Sequence, residues 1–242
     1  MGFLDNLRKE ARVVNPETFV IFSYPKVGKT EAFTQLPEPH MIVDFDKGGR
    51  FYSGNFVEIT ELEELEALIK EMKQKKARFK VIVLDTITSM YDRIVNQLAV
   101  KMYNREKGYE KPLNWDITTL EYGVGYSYKR NAFKKLIEMF KEFADTVILS
   151  GHVADKSLSS TTGAADIKEI DLEGKLKNIL ALKVDAIALM YRSDEKTNTL
   201  SFKHSGELLA GSRAKHLRGK EIALSELDEE GNLKTYWDKI FK

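Results

Sequence analysis

The chain has 242 residues, with 38 basic side chains against 37 acidic ones, a net charge of +1 and no cysteine. A chain of that length buries a substantial core, here expected as one large α/β domain; the missing cysteines exclude disulfides and thiolate metal sites, and the balanced charge confines any nucleic-acid surface to a local patch. With no apolar run long enough to span a bilayer and no signal-peptide profile in "MGFLDNLRKEARVV", the expectation is a soluble cytoplasmic protein without membrane contact.

In chain order, Met1 to Asn15 sets Phe3, Leu4, Leu7 and Ala11 at helical spacing, a short amphipathic helix packed on its own domain or on a neighbour. "TFVIF", Thr18 to Phe22, is a β-branched and aromatic run of buried-strand type; "SYPKVGKT" is a loop, and Glu31, Ala32, Phe33 and Gln35 read as the helix after it. "PHMIVDFDKGG" holds a second buried strand, Met41 to Asp44, ending in acidic residues and glycines, and "NFVEIT" adds a short strand. In "TELEELEALIKEMKQKKARF" a helix puts Leu62, Leu65, Leu68, Ile69 and Met72 on one face, with Thr60 as N-cap. Its glutamates lie early and its lysines late, as the helix dipole favours, so Lys73, Lys75 and Lys76 read as a solvated helix end.

"FKVIVLDTITSM" supplies a third strand, Val81 to Leu84, closed by Asp85 and Thr86, and a helical stretch runs on through Met102. "YNREKGYEKPLNWDITTLEYGVGY" is irregular; Tyr103, Tyr109, Trp115, Tyr126 and Tyr128 there are packing residues or stacking faces for bases. An amphipathic helix, "YKRNAFKKLIEMFKEFA", and a fourth buried strand, "TVILSGH", follow. "VADKSLSSTTGAADIKEIDLEGKLKN" is poor in bulky apolar residues and reads as a long loop, a kind of segment that is usually functional or mobile. "VDAIALMYR" and "NTLSFKHS" read as paired strands, "GSRAKHLRGKEI" is basic, and "LKTYWDKIFK" closes the chain as a helix. The division expected is an N-terminal helical segment 1–17, a main domain 18–224 and a C-terminal helical tail 225–242.

Strands alternating with helices imply an α/β, three-layer αβα fold: a mostly parallel sheet, helices on both faces, right-handed crossovers and a C-terminal antiparallel strand pair. Ligands of such sheets bind beyond the carboxyl ends of the strands. Gly28 to Thr30, Asp44 and Asp46, Asp85 and Thr86, and Gly151 and His152 all follow strand ends and should converge on one rim.

"SYPKVGKT" matches the phosphate-binding pattern G-x-x-x-x-G-K-[ST] except that Ser23 stands where glycine opens it. Serine is small and turn-tolerant, so the substitution weakens the match without abolishing it, and Pro25 stiffens the loop. In a strand-loop-helix setting the loop's backbone N–H groups face phosphates, Lys29 reaches the β/γ oxygens and Thr30 offers its hydroxyl to Mg²⁺. Ser23, Tyr24, Pro25, Lys26, Val27, Gly28, Lys29, Thr30 and Glu31 are thus the candidate ATP-binding stretch. "VIVLDT" supplies the other half, with Asp85 holding the metal through water while Thr30 binds it directly. Hydrolysis further needs a group that orients water. Asp46 lies far enough past its strand for that role while Asp44 caps the strand end; alternatively both are turn residues before Gly48 and Gly49. His152 polarises the γ-phosphate or is satisfied by a local backbone partner.

The order "SYPKVGKT", "IVDFDKGG", "VIVLDT", "YGVGYSYKRNAF", "VILSGH" and a late "RAKHLRG" resembles the phage-encoded RecA-like ATPases, short relatives of RecA and RadA found in phage nucleotide-binding and single-strand-annealing recombination modules. The resemblance runs from about Thr18 to Leu224. It implies a RecA-like P-loop NTPase fold and ATP hydrolysis with Mg²⁺ stimulated by single-stranded DNA. It also implies a homo-oligomeric ring or filament, and partners among phage recombination or replication proteins. Asp46 stands where the family commonly has its water-orienting glutamate, one methylene shorter, and His152 where a polar residue couples nucleotide state to DNA. Lys215 and Arg218, with Arg213 as a third possibility, match basic residues that reach the nucleotide of the adjacent subunit; the alternative is an exposed basic loop. A cation supplied by a neighbour makes hydrolysis depend on assembly, and heterologous contacts close into rings or extend as filaments. Ala154 to Asn178 occupies the place of the family's DNA-binding loop. Lys156, Ser157, Ser159, Thr161 and Lys168 there offer phosphate contacts, opposed by Asp155, Asp166, Glu169 and Asp171. Two other functions suit the same residues: a nucleotide-gated DNA- or protein-binding module with negligible turnover, and a small-molecule kinase, since a phosphate loop alone does not choose the acceptor.

Overall fold

The apolar runs of the sequence become the centre of one twisted sheet. The computed structural model describes residues 14–160, 163–205 and 208–242, and the backbone alone at 156–160 and 163–167. Thr18–Ser23 (β1), His40–Asp44 (β2), Phe56–Glu58 (β3), Phe79–Asp85 (β4), the start of Ala144–Ser160 (β5) and Ala186–Arg192 (β7) lie parallel, in the order β7-β1-β5-β4-β2-β3. Beyond β7 the sheet continues antiparallel through Thr197–Ser201 (β8), Glu221–Leu227 (β10) and Leu233–Thr235 (β11). A two-residue strand, Gly211–Ser212 (β9), pairs the start of β7. β1 is buried along its whole length, as a strand covered on both faces must be.

Alternation along the strands divides the core in two. Val20, Phe22, Met41, Val43, Ile82, Leu84, Val147 and Leu149 face the larger layer. That layer consists of Leu62–Lys75 (α2), Ile87–Met90 (α3), Asn96–Lys107 (α4), Val124–Lys141 (α5) and Gly174–Lys183 (α6), with a π turn, Tyr91–Val95, joining α3 to α4. Phe19, Ile21, Ile42, Val81, Val83 and Ile148 face the other side, where Ala32 and Phe33 of the short helix Lys29–Phe33 (α1) meet Trp237 and Ile240 from the chain's end. The αβα layering is therefore present but lopsided.

Four expectations need correction or restriction. The segment 225–242 is not a helical tail: β10 runs through its start, β11 pairs β10, and Trp237–Lys239 is a single 3-10 turn. Trp237, Ile240 and Phe241 are spaced as on a helix face, but one tight turn already suffices to send Trp237 onto Phe33, with ring centroids 6.2 Å apart. Ala154 to Asn178 is not a loop: β5 continues to Ser160 and pairs antiparallel with Gly163–Ile170 (β6), after which α6 begins. This hairpin leaves the sheet, so no core face demands alternating apolar residues, and backbone pairing carries it. Thr60 is not the N-cap of α2; Glu61 is, in a reciprocal capping box with Glu64. The helix expected over residues 1–15 falls almost wholly outside the described residues.

Candidate functional site

At the carboxyl end of β1 the chain reverses through Tyr24 to Gly28, with Lys26 at φ 64° and Gly28 at φ 100°. Glycine suits position 28 because the left-handed backbone there strains an L side chain; an added Cβ would come to ordinary contact, 3.4 Å, with Asn198 Nδ2. α1 starts at the next residue, which sets Lys29 and Thr30 on its first turn. Lys29 is buried, and its Nζ donates to Ser23 Oγ at 2.6 Å. The Ser23 hydroxyl in turn donates to the Tyr24 carbonyl at 2.7 Å. The serine that replaces the motif's first glycine is thus the seat of the lysine ammonium. Burial pulls the Lys29 pKa below the usual lysine value, while the carboxylates of Asp85 and Asp46 act against it.

Thr30 Oγ1 donates to Asp85 Oδ2 at 2.7 Å, so residues 55 positions apart meet at this rim. Asp85 is buried, and its pKa is raised by that burial while hydrogen bonding from Ser150 and Thr30 opposes the rise. Ser150, next in register after the Leu84↔Leu149 pair, stands beside the Asp85 carboxylate, and the His152 ring faces the Ser23 backbone. The Asp85 carboxylate beside the Thr30 hydroxyl is a hard-oxygen donor set of the kind Mg²⁺ takes. Among the described residues no cluster of three or more His, Cys, Asp or Glu side chains is placed to hold a metal unaided. A cation here needs phosphate oxygens or water for its other ligands.

Asp44 and Asp46 do different things. The Asp44 carboxylate accepts from the backbone N–H groups of Asp46, Lys47 and Gly48 at Oδ1 and of Gly49 at Oδ2, the shortest being 2.7 Å from Lys47. It ties the turn after β2. Asp46 projects from that turn toward β4, where Thr86 Oγ1 donates to its Oδ2 at 3.4 Å, a long bond. Its side chain reaches solvent, yet protein packed around it and then the Asp85 charge raise its pKa to about 6. His152 pairs in register with Ser23 and lies half-buried; burial, then the Lys29 charge, lower its pKa, leaving it neutral at pH 7.

Lys29, Thr30, Asp46, Asp85 and His152 therefore stand on one rim, with Ser23 and Gly28 shaping the loop between them. Lys215 and Arg218 do not. Arg213 N donates to Asp185 O at 2.8 Å and Ser212 pairs Ala186, itself opposite Phe19, so this basic turn lies at the amino end of β1. At about 3.3 Å per residue it is on the order of 15–20 Å from the loop of its own chain. Arg213 is tied to Asp185 and to the Leu182 carbonyl, and Arg218 to the carbonyls of Ser212 and Arg213. Lys215 is exposed and makes no ion pair among the described residues. A cavity of about 830 Å³ also lies at this amino end, between Asn15, Arg78, Asp145 and Trp237, remote from the rim.

Of the expected DNA contacts in the hairpin, Thr161 lies outside the described residues, as do the side chains of Lys156, Ser157 and Ser159. Lys168 is described, with its Nζ 5.7 Å from the centroid of the Tyr24 ring. Sequence reading overlooked Ser150, signalled only by a small polar residue closing the apolar run "VILS", and Thr86 as a partner of Asp46. It also overlooked the contacts of Tyr24 with the hairpin, which no local pattern announces.

Fold and rim together define a P-loop nucleotide-binding domain: a loop with glycine at its bend, a lysine and threonine opening the next helix, and an aspartate at the end of a neighbouring apolar strand. The chain belongs to the AAA domain family, whose model matches residues 15–214. No curated protein matches it. Among solved structures it is similar to the RadB recombinase, at 12% identity over 92% of each chain and a TM-score of 0.44. It is also similar to a KaiC-like protein from the hyperthermophilic archaeon Pyrococcus horikoshii OT3, at 11% identity over 91% of this chain and 89% of that one, with a TM-score of 0.45.

Proposed function

We propose that the chain is a Mg²⁺-dependent, RecA-like ATPase that assembles with copies of itself and acts on single-stranded DNA in phage recombination, replication or repair. The observation that carries the site is the meeting of Thr30 with Asp85 at 2.7 Å, directly beside a buried lysine on a glycine-bent loop. Mg²⁺, when bound, neutralises charge building up on the β- and γ-phosphates. Thr30 and Asp85 would hold it, and their meeting at 2.7 Å supports that role. Lys29 leaves Ser23 for the β/γ oxygens, exchanging a neutral hydroxyl for an anion. Asp46, largely ionised at pH 7 with a pKa of about 6, orients the attacking water. His152, neutral and beside the loop's Ser23, senses the γ-phosphate.

The remaining cation comes from a neighbouring subunit. Lys215 and Arg218 are exposed at the amino end of the sheet, too far to reach the loop of their own chain, and head-to-tail contacts that bring them to another copy's loop generate rings or filaments. The DNA surface is the β5–β6 hairpin, which supplies Lys168. No helix among the described residues is long and apolar enough to cross a membrane, and action in the cytoplasm is part of this reading. A second reading, a nucleotide-gated binding module with negligible turnover, is favoured by the bond from Tyr24 to the hairpin.

Phosphate release from Mg-ATP, measured with and without a single-stranded oligonucleotide, tests both. Turnover that the oligonucleotide stimulates and Lys29→Ala removes is the expected result. Turnover untouched by Lys29→Ala rejects the site. Turnover indifferent to the oligonucleotide rejects the DNA assignment, and tight nucleotide binding without turnover selects the gated module.

A further inference from the structure

The phosphate loop and the hairpin are joined by three hydrogen bonds that meet at Tyr24, one at its main-chain carbonyl and one at its side-chain hydroxyl, and that pass through the residue where the motif departs from glycine. Lys29 Nζ donates to Ser23 Oγ at 2.6 Å, Ser23 Oγ donates to the Tyr24 carbonyl at 2.7 Å, and the Tyr24 hydroxyl donates to Asp155 Oδ1 at 2.6 Å. Tyr24 also has Lys168 Nζ over its ring at 5.7 Å, within cation–π range. Asp155 and Lys168 are register partners in the hairpin, so the two side chains share a face and Tyr24 touches both members of one rung. That rung stands three residues past His152, the last residue of β5 paired to β1, or about 10 Å beyond the rim. The hairpin's base is held to the loop at the level where it leaves the sheet.

We propose that Ser23 and Tyr24 form a relay that couples occupancy of the phosphate loop to the β5–β6 hairpin, with Tyr24 as the positioning residue. The relay rests on the nucleotide site proposed above. Without phosphate, Lys29 lies on Ser23 and the series is closed. A triphosphate draws the ammonium away, which frees the Ser23 hydroxyl to rotate off the Tyr24 carbonyl and resets the residue that grips the hairpin rung. A glycine at position 23 has no side chain with which to do this. The relay runs parallel to the backbone pairing of Ser23 with His152 and differs from it in depending on two hydroxyls.

Hydrogen exchange of the full chain, with and without a non-hydrolysable ATP analogue and Mg²⁺, reads the loop amides at 23–32 and the hairpin amides at 153–170 separately. In the unmodified chain both segments should change their exchange on binding. Asp155→Ala should leave the loop response in place and reduce the nucleotide-dependent change in the hairpin about tenfold, the lower end of the weight of one hydrogen bond to a carboxylate. Asp155→Asn, which keeps an acceptor oxygen, should restore most of it. Tyr24 and Asp155 are both exposed, and a thermal melt of each variant shows that it is folded. A loop response with an indifferent hairpin, or equal hairpin responses in Asp155→Ala and the unmodified chain, overturns the relay and leaves the nucleotide site standing. Absence of any response in the loop overturns the nucleotide site and the relay together.

Discussion

The two ends of the sheet treat polar side chains in opposite ways. At the carboxyl rim, side chains from separate strand ends turn toward one another: Thr30 reaches Asp85, Thr86 reaches Asp46, and Lys29 lies folded on Ser23. At the amino edge the basic turn keeps to itself or faces outward, with Arg218 bonded to carbonyls within six residues and Lys215 exposed. The rim is nearly complete within one chain, and Lys215 makes no ion pair among the described residues. On the proposed function the two are halves of one site divided between subunits.

The largest effect should come from uncoupling the halves. Lys215→Ala with Arg218→Ala should lower turnover by roughly 10³-fold, the weight of a transition-state cation supplied in trans, while nucleotide still binds. Mixing this variant with Lys29→Ala should recover part of the turnover, since one brings an intact loop and the other intact cations. Recovery that fails in a phosphate-release assay, with both proteins shown to co-assemble by size, breaks the comparison.

Within the rim, Asp46→Asn should lower turnover by roughly 10²-fold with little change in nucleotide affinity. The acid limb of kcat/KM against pH should inflect near the Asp46 value of about 6 in the unmodified chain and vanish in the variant. Between the ordinary 3.8 and about 6 the folded chain keeps a proton on Asp46 that the unfolded chain has released. This group's contribution to stability therefore falls as pH rises through that window, and Asp46→Asn should flatten that part of the pH–Tm profile.

Trp237→Ala tests the support behind the loop. Trp237 is 3% exposed, stacks on Phe33 and Phe241, and donates from Nε1 to the Ala32 carbonyl at 2.9 Å. Its removal should lower stability by about 3–5 kcal/mol in a denaturant titration and leave α1 less firmly seated. The smallest change is expected for Ser23→Gly, which restores the motif and removes the seat of Lys29. Nucleotide should bind a few-fold more tightly, because the hydroxyl that competes with phosphate for the ammonium is gone; weaker binding would mean that Ser23 holds the loop in shape rather than holding the lysine back.

How far the sequence could be read follows the same division. Buried parallel strands are covered on both faces and must be continuous apolar runs, so "TFVIF" and "VIVLD" announced themselves and fixed where Gly28 to Thr30 and Asp85 would lie. The hairpin is set by backbone pairing outside the core, and its polar residues gave no periodic signal. The end of the chain misled for another reason: apolar residues three and four apart suit a long helix or a single turn, and only the strand pairing of Leu233 to Thr235 decides between them. The contrast between Asp44 and Asp46 was half legible, because a capping carboxylate and a projecting one look alike until the turn's N–H groups are placed. The relay through Ser23 was not legible at all, since the motif marks the serine as a departure and says nothing of what its hydroxyl touches.

Equilibrium binding of a fluorescent ATP analogue to the full chain, with and without Mg²⁺, tests most directly whether a triphosphate and its metal lie between Lys29, Thr30 and Asp85. The account predicts binding that Mg²⁺ tightens, at least tenfold weaker in Lys29→Ala by the loss of one charge-assisted contact, and insensitive to Mg²⁺ in Asp85→Ala. Equal affinities in all three proteins, or a Mg²⁺ effect that survives Asp85→Ala, would contradict it.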